Sequence, residues 1–501
     1  MAVNGIGFGN TILGGSIRNL KAQMADLQGQ LTSGKRATTY SGMGANEGFA
    51  IAARAQLSNI AAYTDTMMKI NTNIGVANTA LQALSDIGTQ LQNAAISGSQ
   101  TLNSMGQTAG QQTAVAEFSS MVGILNTQAG DRYIFSGSTI YTQPVASSDL
   151  ILNGNGAGQA GLRQVISERK QADLGAGGLG RIDISSPTVT SVAVAEDASP
   201  SVYGLKLQSV SSSLLGATVT GPTGAPPVIS VDLGVTNPVD GDTVSFTFDL
   251  PDGTSETVQL TASSEVPAPA GSFAIGATPT ATAANLNAAL TSSIGKLANT
   301  SLVAASAVRA TRDFFDQPPQ RVDLTPPATL ATATAAVNGT VADTVQWYTG
   351  DDGAGSARAT SVVRVDSSVT VQYGMRASED AIRSLMESVA VLAAVTTSPT
   401  DPNAADQISA LNSRVAQNLT VAPGSQTIGD IQVDLANAQT VMKDATARQK
   451  LTQATMQNII DQAENVSTDE VASQLLALQT DLQASYQTTA MLSQLSLVKF
   501  L

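Results

Sequence analysis

The segment IRNLKAQMADLQGQLTSGKR, residues 17–36, decides the architecture. Its apolar residues Ile17, Leu20, Met24, Leu27 and Leu31 alternate steps of three and four, and Gly34 stands where a helix C-terminal cap belongs. That spacing predicts one amphipathic helix of about four turns with a single narrow apolar stripe. The far end of the chain carries a matching stripe in VASQLLALQTDLQASYQTTAML, residues 471–492, where Val471, Leu475, Leu478, Leu482, Thr489 and Leu492 lie on one face. Ser467 and Glu470 make a capping-box pattern in front of it, with Val466 and Val471 at the staple positions, so a helix is predicted to begin near 468. A stripe this narrow cannot be buried by its own helix and needs a partner.

Working inward, Met67, Ile70, Ile74, Ala77, Leu81, Leu84, Gly88 and Leu91 continue the same alternation. They predict a helix from about 46 to 96, roughly 75 Å long at 1.5 Å per residue. Ile428, Ile431, Leu435, Ala438 and Met442 predict another from about 427 to 464. These two read as an intrachain helical hairpin, whereas the outermost helices, 16–33 and 468–494, read as intermolecular bundling elements. A further helix begins near Ala377, with Ile382, Leu385, Met386, Val389 and Leu392 on its stripe.

Between about 140 and 376 the texture changes to Val, Thr, Ser, Gly and Ala with frequent turn signals. Thr243–Leu250 and Thr254–Leu260 flank Pro251-Asp252-Gly253, which reads as a β-hairpin. Thr278-Pro279 then offers an N-cap and an N1 proline to a helix with Leu286, Leu290, Ile294 and Leu297. Together these suggest a small inserted module of about 235–310. The expected fold class is α+β, with long coiled-coil-like helical-bundle domains formed by both chain ends and a β-rich central outer domain carrying that module. The expected domains are 1–45 with 467–501, 46–140 with 377–466, and 141–376.

Composition narrows the function. The 501 residues hold 39 acidic and 25 basic side chains, a net charge of −14, so no basic excess is available for nucleic acid. Histidine and cysteine are both absent, which removes the usual triads, disulfides and the soft ligands of zinc, iron–sulfur and haem sites. Two GxGxxG matches, at Gly156, Gly158 and Gly161 and at Gly175, Gly177 and Gly180, sit in glycine-rich surroundings and read as loops. Asp240-Gly-Asp242 and Asp351-Asp352 read as turn carboxylates. No enzyme, metal or cofactor is expected. Charged residues are only 13% of the chain, half the common share near 25%, which favours association. No run of eighteen apolar residues occurs, so no membrane insertion is expected, and the N-terminal residues do not read as a cleaved signal peptide.

The stretch LKAQMADLQGQLTSGKRATTYSGMGANEGFAIAARAQLSNI, residues 20–60, resembles the opening of bacterial flagellin-family proteins, where a helix ends in a Gly-Lys-Arg turn and a second long helix follows. Gly130-Asp131-Arg132-Tyr133-Ile134-Phe135-Ser136-Gly137 resembles that family's segment leading from the long helix to an outer β-domain. The ending LQASYQTTAMLSQLSLVKFL is similar to the family's C-terminal helix, and more to the hook–filament junction branch, the flagellin-like hook-associated proteins, than to bulk flagellins. Thr488–Ser496 lacks the Asn-Gln-rich segment of bulk flagellins, while the 141–376 middle is long for a junction protein. The resemblance implies a structural subunit of the bacterial flagellum that self-assembles through paired terminal helices. Its partners would be further copies in a helical assembly, other flagellar axial proteins and a flagellar export chaperone. It also implies type III export without a cleaved signal peptide and an extracellular location. A bulk flagellin is the alternative reading, and a secreted adhesin with helical termini is one of another class.

Overall fold

The computed structural model describes residues 4–98, 100–198 and 200–498. The chain is mixed α+β and 52% helical. Helices α1 (Asn4–Ser33), α2 (Glu47–Ser97) and α3 (Ala109–Leu125) come first, with strands β1 (Gln128–Ala129) and β2 (Arg132–Tyr133) and helices α4 (Ser148–Asn153) and α5 (Leu162–Leu174) after them. Eight strands follow: β3 (Ile182–Ser185), β4 (Ser191–Glu196), β5 (Lys206–Ser212), β6 (Thr218–Thr223), β7 (Val228–Asp232), β8 (Thr243–Asp249), β9 (Ser255–Ser263) and β10 (Ser272–Ala274). Then come α6 (Pro279–Leu297), α7 (Val303–Phe315), β11 (Gln320–Val322), β12 (Ala336–Asn338), β13 (Val362–Arg364) and β14 (Thr370–Gln372). Helices α8 (Asp380–Ala394), α9 (Ala404–Asn418), α10 (Ile428–Glu464) and α11 (Thr468–Val498) complete the chain.

The chain divides into two compact units whose borders differ from the three domains read from the sequence. The first is drawn from Met1–Asn71, Val363–Val371 and Ala438–Leu501, the second from Thr72–Val362 and Gln372–Asn437. In the first unit, Met67 and Ile70 of α2 and Ala438, Met442 and Ala445 of α10 are buried, as their spacing requires. Gln439 Nε2 donates to Asn71 Oδ1 at 2.9 Å, and Gln449 Nε2 donates to the Val365 carbonyl at 2.6 Å. The α1 helix is longer than the predicted 16–33, beginning at Asn4.

In the second unit the α2 stripe continues through Ile74, Ala77, Leu81, Leu84 and Leu91, all buried. Helix α7 packs on α5, α8 and α9, and α3 packs on α8. Thr108 caps α3 with the complete reciprocal box: its Oγ1 accepts from Gln111 N–H at 3.2 Å, and Gln111 Oε1 accepts from Thr108 N–H at 2.9 Å. The single tryptophan, Trp347, is buried against Phe315 and donates from Nε1 to the Phe315 carbonyl at 2.9 Å.

Two four-stranded sheets, ordered β3-β4-β7-β6 and β10-β9-β8-β5, share one core. Alternation along β8 puts Val244, Phe246 and Phe248 inward, and Ile229 and Val231 do the same on β7. Helix α6 lays Leu286, Leu290, Ile294 and Leu297 into that core, capped as expected by Thr278 Oγ1 on Ala281 N–H at 3.3 Å. The hairpin and helix read from the sequence therefore exist, but they are not a separate insert. Their core includes Ile182, Val192, Val194 and Leu207, so the module extends from about 182 to 305, wider than 235–310. The middle of the chain also carries helices α4, α5 and α7, so it is less purely β than its texture suggests.

Two ionic clamps tie this module to the helices of its unit. The hairpin tip reaches α9, where Arg414 pairs with Asp252 at 2.8 Å and Glu256 at 2.9 Å. On another side Arg169 of α5 pairs with Asp173 at 2.9 Å and Asp313 of α7 at 3.0 Å, and Asp173 Oδ1 accepts from Gly204 N–H at 2.8 Å. The Arg169 guanidinium also lies over the Tyr203 ring at 4.6 Å.

Candidate assembly interface

Helix α1 packs along α11. The end of α1 lies beside the start of α11, so the two run antiparallel: Val466 N–H donates to the Gly34 carbonyl at 3.1 Å, Arg36 N–H donates to the Glu464 carbonyl at 2.6 Å, and Lys35 bridges Asn465. Gly34 has φ of +67°, the left-handed turn that ends a helix at little cost only for glycine. Ser467 Oγ accepts from Glu470 N–H at 3.4 Å, which is the capping half of the expected box; the Glu470 carboxylate accepts from Gln474 Nε2 at 3.4 Å. Next to this joint Arg54 of α2 ion-pairs with the buried Glu464 and donates to the Tyr40 hydroxyl. Met43, Ala50 and Ala463 form a small apolar cluster there. Farther along, Lys21 of α1 stands over the Tyr486 ring of α11 at 5.8 Å.

The predicted stripe residues meet across this pair unequally. Val471 is buried; Ile17, Leu20, Met24, Leu27, Leu475, Leu478 and Leu482 are half-buried. Leu31 and Leu492, assigned to the same stripe, are exposed at 39% and 50%. Two helices alone cannot enclose a shared stripe, because each covers the other from one side only. A second set of apolar side chains, which the stripe reading did not single out, faces outward: Ile12, Leu476 and Met491 are 65%, 64% and 62% exposed.

The charge is divided sharply between the units. The first contains 11 basic and 10 acidic side chains, while the second contains 14 basic and 29 acidic, so the acidic excess of the chain lies in the second. Copies meeting through the first unit would therefore bring together nearly neutral surfaces.

The other segments singled out in the sequence fall into the second unit. The chain leaving α3 through Phe135-Ser136-Gly137 runs beside the returning Met375-Arg376-Ala377: Gly137 N–H donates to the Met375 carbonyl at 2.9 Å and Ala377 N–H to the Phe135 carbonyl at 2.9 Å. Gly137 has φ of +65°, and a Cβ there would stand 2.7 Å from Asp351 Cβ. Asp351 closes this neck by pairing with Arg376 at 3.3 Å, and the Ser138 hydroxyl with the Gly353 backbone N–H holds its carboxyl down at about 2. Asp240 accepts from Ser264 N–H at 2.6 Å, and Asp242 from Leu215 and Val239 N–H at 3.0 and 2.8 Å, which makes them turn carboxylates. The first GxGxxG lies between α4 and α5 and the second between α5 and β3; neither follows a strand into a helix, as a dinucleotide loop must. Among the described residues no helix is long and apolar enough to cross a membrane.

No protein-family model and no curated protein matches the chain.

Proposed function

We propose that this chain is a structural subunit of the bacterial flagellum that self-assembles through its paired terminal helices, most closely of the hook–filament junction type. The observation that carries the reading is the α1/α11 pair. Both chain ends are brought into one antiparallel pair whose stripes are half-covered and whose outer face holds further apolar side chains. Large exposed apolar surface on a soluble chain marks an interaction site. Contacts between copies that do not close into a ring generate a helical filament. The near-neutral charge of the first unit supports assembly there.

Export through the flagellar type III channel, a chaperone partner and an extracellular location belong to the same proposal. So does the absence of a catalytic role.

Purified full-length chain tests the assembly arm. At rising concentration it should form filaments by negative-stain electron microscopy, and a chain lacking 468–501 should stay monomeric while keeping the Trp347 fluorescence of the folded chain. Filaments of undiminished yield from the truncated chain would overturn the interface.

A further inference from the structure

A cavity of about 200 Å³ lies in the second unit between α5, α7, the end of α8 and α9. Its floor is apolar: Ile166, Ala304, Ala307, Ala394, Ile408 and Leu411 are all buried, and the three alanines leave the space that larger side chains would fill. Arg163, Ser167 and Lys170 line it from a single face of α5, at i, i+4 and i+7. Arg163 donates to Asn153 Oδ1 at 2.9 Å and the Ala393 carbonyl at 3.4 Å, both uncharged acceptors.

The electrostatic setting makes these two cations unusual. Among the described residues of the second unit, ten of the fourteen basic side chains are ion-paired, as expected where acidic residues outnumber them two to one. Arg163 and Lys170 are two of the four that are not, and both stand at this one cavity. An apolar floor with unpaired cations at its mouth recognises a molecule with an apolar tail and one anionic head.

We infer that the α5/α7/α8/α9 cavity is a binding site for a small monocarboxylate amphiphile, its tail on the alanine floor and its carboxylate at Arg163 and Lys170. At the roughly 30 Å³ that a water molecule occupies in the liquid, the cavity accommodates about six or seven heavy atoms. That sets the tail at five to seven carbons.

The test is calorimetric titration of the full chain with butyrate, hexanoate, octanoate and neutral hexanol. Affinity should rise about fourfold per methylene from butyrate to hexanoate and flatten by octanoate, since each buried methylene contributes by that factor. Hexanol should bind about tenfold more weakly than hexanoate. Lys170→Gln should bring hexanoate down toward hexanol while leaving hexanol unchanged, and Ala307→Leu should abolish both by filling the floor. Trp347 fluorescence reports whether each variant is folded, and Ala394→Val replaces Ala307→Leu if the latter is not. No heat from hexanoate up to tens of millimolar, or equal hexanoate affinity in the wild-type and Lys170→Gln chains, would overturn the site.

Discussion

Replacing Leu476 and Met491 of α11 together by glutamine separates the outer face of the terminal pair from its inner stripe. Both side chains are largely open in the isolated chain, at 64% and 62% exposure. Glutamine is nearly as good a helix former as leucine or methionine, so each substitution costs the monomer only the part already covered, about 0.5–1 kcal/mol. In an assembly that covers this face the balance differs. Full burial of a leucine or methionine contributes about 1.5–3 kcal/mol, and scaling by the share still open leaves roughly 2–4 kcal/mol for the two together. Each 1.4 kcal/mol is tenfold, so the critical concentration for polymerisation should rise roughly 30- to 700-fold. Sedimentation of polymer over a concentration series measures that quantity, and far-ultraviolet circular dichroism of the monomer checks that helicity is retained. A critical concentration within twofold of wild type, with helicity intact, would refute the claim that this face is buried between copies.

Other outcomes follow from the same geometry. Leu475→Asp with Leu482→Asp strikes residues half-buried against α1, so it should lower monomer helicity as well as block assembly, unlike the outer-face pair; unchanged helicity by circular dichroism would contradict the α1/α11 packing. Arg414→Met leaves the Asp252 carboxylate, 2% exposed, without its partner, and should cost roughly 3–5 kcal/mol in urea unfolding followed by Trp347 fluorescence; a loss below 1 kcal/mol would mean that the hairpin tip is not clamped. Burial pushes the Glu387 carboxyl up to about 7, against the smaller opposing pull of Arg383 and Arg312. The unfolded chain ionises this group first, near 4.3, so the folded state loses stability progressively from there to about pH 7. Glu387→Gln should therefore stabilise by roughly 3–4 kcal/mol at pH 8 and by almost nothing at pH 4; equal effects at both would refute the assignment. Deleting 235–310 should give aggregated chain, because Val192, Val194, Ile229 and Val231 would lose the other half of their core; soluble, cooperatively unfolding protein would show the module to be independent.

The long helices were legible because nothing interrupts their spacing. Gly34 and Ser467 mark ends that fall within a residue or two of the observed boundaries at Ser33 and Thr468. Helix α5 was hidden because Glu168, Arg169 and Asp173 interrupt its buried face, where they pair with one another, with Arg321 at 2.7 Å and with Asp313 at 3.0 Å. A stripe broken by charges between Ile166 and Ala172 shows no sustained hydrophobic period. Helix α7 was hidden by its alanines, which are buried at Ala304, Ala305, Ala307 and Ala310 yet are too small to mark a stripe. The module's true extent depended on long-range sheet pairing, such as β5 with β8, which no local signal encodes.

Along the α1/α11 pair, periodicity does not give the depth of burial. Leu31 and Leu492 share the spacing of Leu27 and Leu482 and are exposed nonetheless, because burial depends on where the partner helix runs. The outward residues Leu476 and Met491 break the stripe and are visible in the sequence only as leucine and methionine off the expected face. Lys21 with Tyr486, and Arg54 with Glu464, become pairs only once the antiparallel joint is known.

The most direct measurement is immunogold electron microscopy of intact cells with antibody raised against residues 182–302. The proposal predicts label on flagella, gathered where hook meets filament for the junction type or spread along the filament for a bulk flagellin. Label on the cell surface away from flagella, with none on the filaments or their bases, would contradict it.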